Sequence, residues 1–203
     1  CTEISYTGTT FLFNVSHWTA FAAEEASPAA LACGDTITTS QTLTADLSGT
    51  GNCITFGANN IFVNCNGFKV TYDTSGAGNV SAFIANGRSN VNITNCIIQD
   101  GNSQGTYGIA INYTSTLNSF IINNTIITNG TRAPYGIFLE GSNGNSIINN
   151  TITTRGISNQ SDPSTGANTS MAFGIHLFQS DLNYVFNNSI TANGSNFSIG
   201  INL

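Results

Sequence analysis

Apolar residues fall at every second position in a series of short segments. One set is Val91, Ile93 and Ile97. Others are Phe120, Ile122 and Ile126, then Ile148 and Ile152, then Tyr184, Phe186 and Ile190. A period of two predicts strands with one buried face, and no 3.6-residue period runs through these segments. Between the apolar positions a polar block recurs. It reads Asn123-Asn124-Thr125-Ile126, then Asn149-Asn150-Thr151-Ile152, then Asn187-Asn188-Ser189-Ile190. Thr94-Asn95-Cys96-Ile97 and Cys65-Asn66-Gly67-Phe68 are looser copies. The second residues give a row, Asn66, Asn95, Asn124, Asn150 and Asn188, at spacings of 29, 29, 26 and 38. Repetition at this period predicts one supersecondary unit stacked on copies of itself.

A second block follows each asparagine. Its copies are Tyr107-Gly108-Ile109-Ala110-Ile111, Tyr135-Gly136-Ile137-Phe138-Leu139, Phe173-Gly174-Ile175-His176-Leu177 and Ile199-Gly200-Ile201-Asn202-Leu203. The glycine lies 13, 12, 24 and 12 residues beyond the asparagine, so one coil carries an insertion near 156–171. A coil of about 26–29 residues holds three short strands and their corners at ~3.3 Å per residue. Asparagine is a common turn residue in any fold. Its constant place in the repeat favours a ladder, in which each side-chain amide bonds its equivalent ~4.8 Å away.

These blocks resemble the right-handed parallel β-helix repeat proteins of the pectate-lyase-like superfamily, in their Asn-rich, exported and surface branch. The likeness runs from Cys33 to Leu203, with Cys33-Gly34-Asp35-Thr36-Ile37 as its first coil and Asn59-Asn60-Ile61 opening its second. It implies an all-β solenoid, and with the spacing it suggests a Cys33–Cys53 disulfide. Cys65 and Cys96 lie one before and one after the ladder residue, an offset that works against a bridge. With Cys1 the count is five, which leaves one thiol over. The expected organisation is a strand and a short capping helix in 1–32, the helix within Trp18–Ala32, followed by the β-helix in 33–203.

Composition narrows the partners. Four basic residues against ten acidic ones give a net charge of −6, the wrong sign for a nucleic-acid surface. No apolar stretch reaches the ~18 residues of a membrane span. The histidines, His17 and His176, are far apart and no CxxC exists, so no metal or cofactor is expected. Twelve Asn-x-Ser/Thr sequons mark glycosylation candidates at Asn14, Asn79, Asn92, Asn112, Asn129, Asn159, Asn168, Asn193 and Asn196, and beside the ladder at Asn123, Asn149 and Asn187.

The resemblance covers lyases that use a basic proton abstractor beside acid-bound calcium, and hydrolases that use clustered aspartates. Neither pattern is visible in the repeat. Glu140 with His176 is the best enzyme pair, His176 being read as lying beside Phe138 and Ala110, and Asn112 and Phe178 as the equivalents of Glu140. Asp73 with Asp100 is a weak calcium candidate. The preferred expectation is therefore no catalysis: an extracellular or cell-surface glycoprotein, a β-solenoid subunit that assembles head-to-tail or by strand exchange into a homo-oligomer or polymer such as a filament, sheath or surface layer. Its assembly residues would be Phe11, Phe13 and Val15 near the start and Ile201 and Leu203 in the last coil. A carbohydrate-active enzyme or carbohydrate-binding module is the alternative, with Phe138 and Phe178 as stacking surfaces.

Overall fold

The computed structural model describes residues 2–7, 10–14, 31–76, 78–102, 107–156 and 171–203. The chain divides into two units, Cys1–Ala30 and Leu31–Leu203. In the first, Thr2–Thr7 and Thr10–Asn14 pair as an antiparallel hairpin. The proposed capping helix, Val15, and the sequons Asn159 and Asn168 lie outside the described residues.

The second unit is a parallel β-helix. Its first sheet has seven strands, from Asp35–Ile37 through Gly108–Thr114, Tyr135–Glu140 and Met171–Phe178 to Phe197–Asn202. The second and third sheets have six strands each. Every pairing among the three is parallel, and each strand pairs with its equivalents in the coils before and after. The alternating apolar residues face one shared interior. Ile93, Ile121 and Ile147 stack along the second sheet, and Ile98, Ile126 and Ile152 along the third.

Two of the three corners are fixed by backbone conformation. Asn60, Asn90 and Asn118 hold one corner in the left-handed region, and Asn95, Asn123, Asn149 and Asn187 hold the next. Asparagine visits that region more readily than most side chains, which is why it recurs there. These corners keep constant length from the third coil onward. All later variation falls at the third corner, between third and first sheets: Asp100 to Gly108, Gly130 to Tyr135, Gly156 to Met171, Gly194 to Phe197.

The ladder runs inside the second corner. Asn188 Oδ1 accepts from the Asn150 backbone N–H at 2.9 Å, Asn150 Oδ1 from that of Asn124 at 2.9 Å, and Asn124 Oδ1 from that of Cys96 at 3.0 Å. The side-chain amides add Asn124 Nδ2 to Asn150 Oδ1 and Asn150 Nδ2 to Asn188 Oδ1, both 3.0 Å. Asn66 and Asn95 are not rungs. Ile97 pairs with Thr125, so Cys96 takes the rung position and Asn95 matches the exposed Asn123. Asn66 stands exposed at a second corner two residues longer than those of the later coils, where Asn64 pairs with Thr94 but Lys69 with Ile97. That shift also corrects the expectation for the cysteines. Cys96 sits on the ladder itself, Cys65 lies buried at the corner below, and the two are joined by a disulfide. Cys33 and Cys53 form the other.

Two more ladders line the first corner. Val91 N–H donates to Ser119 Oγ, Ser119 N–H to Asn145 Oδ1 and Asn145 N–H to Asn183 Oδ1, at 3.0, 2.9 and 2.8 Å. Thr116 N–H donates to Ser142 Oγ and Ser142 N–H to Ser180 Oγ, at 2.9 and 3.0 Å. Replacing a buried rung strands its partners on both sides, at about 1–3 kcal/mol for each unsatisfied group. Asn150→Ala is expected to lower unfolding stability by about 3 kcal/mol or more. Asn95→Ala, at an exposed corner, is expected to cost about 1 kcal/mol. Chemical denaturation of both variants measures the difference.

Candidate functional site

The first sheet carries the most distinctive outer surface. Ile84, Asn112, Phe138, His176 and Asn202 form one outward row on successive strands. Gly136 and Gly174 press against the core so closely that a Cβ would collide with Ile152 or Ile190. Only glycine fits there, and the rings on either side of it meet: Tyr135 and Phe138, three residues apart, have centroids 5.3 Å apart.

His176 sits within an aromatic cluster. Its ring lies 5.6 Å from Tyr135 and 5.3 Å from Phe173, stacked on both, and 5.3 Å edge-on from Phe138. Phe178 is 6.2 Å away and exposed. Tyr135 and Phe173 stack at 4.9 Å. Burial among these rings lowers the His176 pKa below the ordinary histidine value. His176 Nδ1 and Asn112 Oδ1 are both shut off from solvent without a hydrogen-bond partner. The cluster is thus aromatic and largely closed, with Phe178 its exposed edge.

The suggested Glu140–His176 pair is not brought together as a row. Glu140 is exposed and pairs with Thr114 and Phe178, while His176 pairs with Phe138. Asn112, not Ala110, shares the His176 row, because Ile109 pairs with Tyr135 and the two Tyr-Gly blocks are offset by one pleat. Asp73 and Asp100 are both buried. Asp100 Oδ1 accepts from Asn102 N–H at 3.0 Å, and Asp73 Oδ2 from Gly78 N–H at 3.3 Å. Burial, helped by the charge of Asp73, raises the Asp100 pKa to about 7 against two backbone amides that lower it.

Among the sequon asparagines, Asn79, Asn123, Asn149, Asn187, Asn193 and Asn196 are exposed. Asn92 accepts the Phe120 backbone N–H at 2.9 Å, Asn129 is half-buried, and Asn14 closes the hairpin. Phe11 and Phe13 belong to the same hairpin strand. In the last coil Ile201 is 46% exposed, although Ile175, its partner one coil below, is fully buried. Leu203 is 90% exposed, and Tyr184, Phe186 and Phe197 are more than half exposed.

A family model described as "Periplasmic copper-binding protein (NosD)" matches residues 17–203. No curated protein and no solved structure matches the chain.

The His176 environment has a direct readout. By NMR its titration midpoint is expected below the ~6.5 of an unperturbed histidine. Phe138→Ala, which opens the cluster to water, is expected to move it back up.

Proposed function

Because the chain belongs to the NosD family, and with it to proteins that work outside the cytoplasm, we propose that it is a non-enzymatic structural solenoid of the cell surface that assembles coil on coil. The carrying observation is the repeat itself: every strand of the three sheets pairs in parallel with its equivalent one coil away, in a register set by the side-chain ladders. A coil built this way offers the same bonding groups to an equivalent coil of another copy. Stacking of copies is a heterologous contact, the kind that builds filaments or lattices. Exposed sequons at Asn79, Asn193 and Asn196 would carry the glycans of such a surface.

Copper, which the family description names, does not fit the described residues. Cys33, Cys53, Cys65 and Cys96 are tied in disulfides, and His176 stands among aromatic rings. No group of three or more His, Cys, Asp or Glu side chains comes together among the described residues. Copper sites draw on His, Cys and Met in close array.

The aromatic cluster supports a second reading, a carbohydrate-binding face on the first sheet. Affinity electrophoresis through gels of acidic and neutral polysaccharides tests it. Retardation in one gel, lost in Phe178→Ala, is expected, and Glu140→Gln in the same assay with a reducing-sugar readout separates binding from turnover. For the assembly reading, negative-stain electron microscopy and light scattering of the untagged protein are expected to show ordered fibres or sheets. Ile201→Asp is expected to leave dispersed rods. Dispersed rods from the unaltered chain at high concentration would overturn coil-on-coil assembly.

A further inference from the structure

The third sheet carries an unusual inner row. Tyr72, Asp100, Thr128 and Thr154 sit on its successive strands, Tyr72 paired with Asp100 and Thr128 with Thr154. All four are buried. Tyr72 Oη, Asp100 Oδ2, Thr128 Oγ1 and Thr154 Oγ1 are each sealed from solvent without a hydrogen-bond partner. Buried polar atoms in native proteins are nearly always satisfied. Tyr72 Oη and Asp100 Oδ2, on paired residues of this row, point to a species other than the chain itself.

Charge and shape indicate what that species is. Asp73, fully buried at the corner that follows Tyr72, and Asp100 both act electrostatically on the Tyr72 hydroxyl, so two carboxylates and this hydroxyl share one region. Gly108 lies against it. A Cβ on Gly108 would collide with both Asp100 Oδ2 and the Asn129 carbonyl oxygen, so these two oxygens lie close together beside Gly108. The donors are all oxygen, two of them carboxylates, and they come from three successive coils. Hard cations take such ligands, and calcium accepts irregular mixtures of carboxylate, carbonyl and hydroxyl oxygen more readily than magnesium does.

We propose that this group of oxygens binds a calcium ion, held by Asp100 Oδ2, the Asn129 carbonyl, the Tyr72 hydroxyl and the Asp73 carboxylate, with water completing the shell. The site lies inside the solenoid at the corner whose length varies. A cation there ties together coils that the two ladder-bearing corners already hold on the other sides. The outer aromatic cluster takes no part in it.

Thermal unfolding and calorimetric titration of the intact chain test the site. After dialysis against EDTA, calcium chloride at a hundredfold excess over Kd is expected to raise the midpoint by about 5 °C or more. Magnesium chloride at the same concentration is expected to raise it far less. Asp100→Asn removes the charge but keeps the shape, so the variant remains folded and its calcium shift is expected to vanish. Tyr72→Phe is expected to weaken binding without abolishing it. Equal midpoints in calcium and EDTA for the unaltered chain, or a full calcium shift in Asp100→Asn, would overturn the proposal. An equal shift with magnesium would overturn the choice of calcium.

Discussion

The Asn150 side chain, buried with no water to bond, must give both its oxygen and its nitrogen to neighbouring coils. That requirement holds only if each coil places its corner directly above the one before. Once the corner is pinned, parallel pairing of all three sheets follows, because every strand has its equivalent in the next coil at one strand spacing. The apolar columns of the interior follow in turn. At the ladder's lower end Cys96 still gives its N–H to Asn124, but the link onward is the covalent bond to Cys65. The chain thus changes from amide to sulfur where the coil below has a corner of different length.

Stacking has a second result. Any side chain repeated once per coil becomes a row, and the row's character depends only on which way the pleat turns it. Facing out on the first sheet, Phe138 and His176 meet flanking rings and become a cluster. Facing in on the third, Asp100 and Thr128 bring oxygen into an otherwise apolar interior. One architecture therefore carries two chemically opposite rows, an aromatic one facing out and an oxygen-bearing one facing in.

Much of this was legible in the sequence, and the failures have physical reasons. Asn124, Asn150 and Asn188 stand at a fixed offset from their strands, so their row could be read directly. Asn66 and Asn95 resemble them, but a side chain's role depends on its register: Asn95 aligns with the exposed Asn123, which leaves Cys96 on the rung, and Asn66 lies at a corner of different length. The same slip hid the Cys65–Cys96 bond. Ser142 with Asn145 and Ser180 with Asn183 repeat at one spacing before their strands, and Thr116 with Ser119 matches them. That pattern of serine or threonine followed three residues later by asparagine or serine was the available signal for the first-corner ladders. The aromatic cluster was less accessible. Tyr135 and Phe173 look like interior positions by alternation, and only the tight packing of Gly136 and Gly174 accounts for their meeting His176.

The unequal corners also bear on how such a chain can change. From the third coil onward, the first two corners keep one length, and their ladder residues stay in register with the coils on either side. The third corner already accommodates gaps as different as Gly194 to Phe197 and Gly156 to Met171 while the strands on either side stay paired. Sequence can be spliced in or cut out there without disturbing the fold. The solenoid is in this sense a keel with one open gunwale. New epitopes, tags or whole recognition loops can be mounted along that side, one per coil, at a pitch of about one strand spacing.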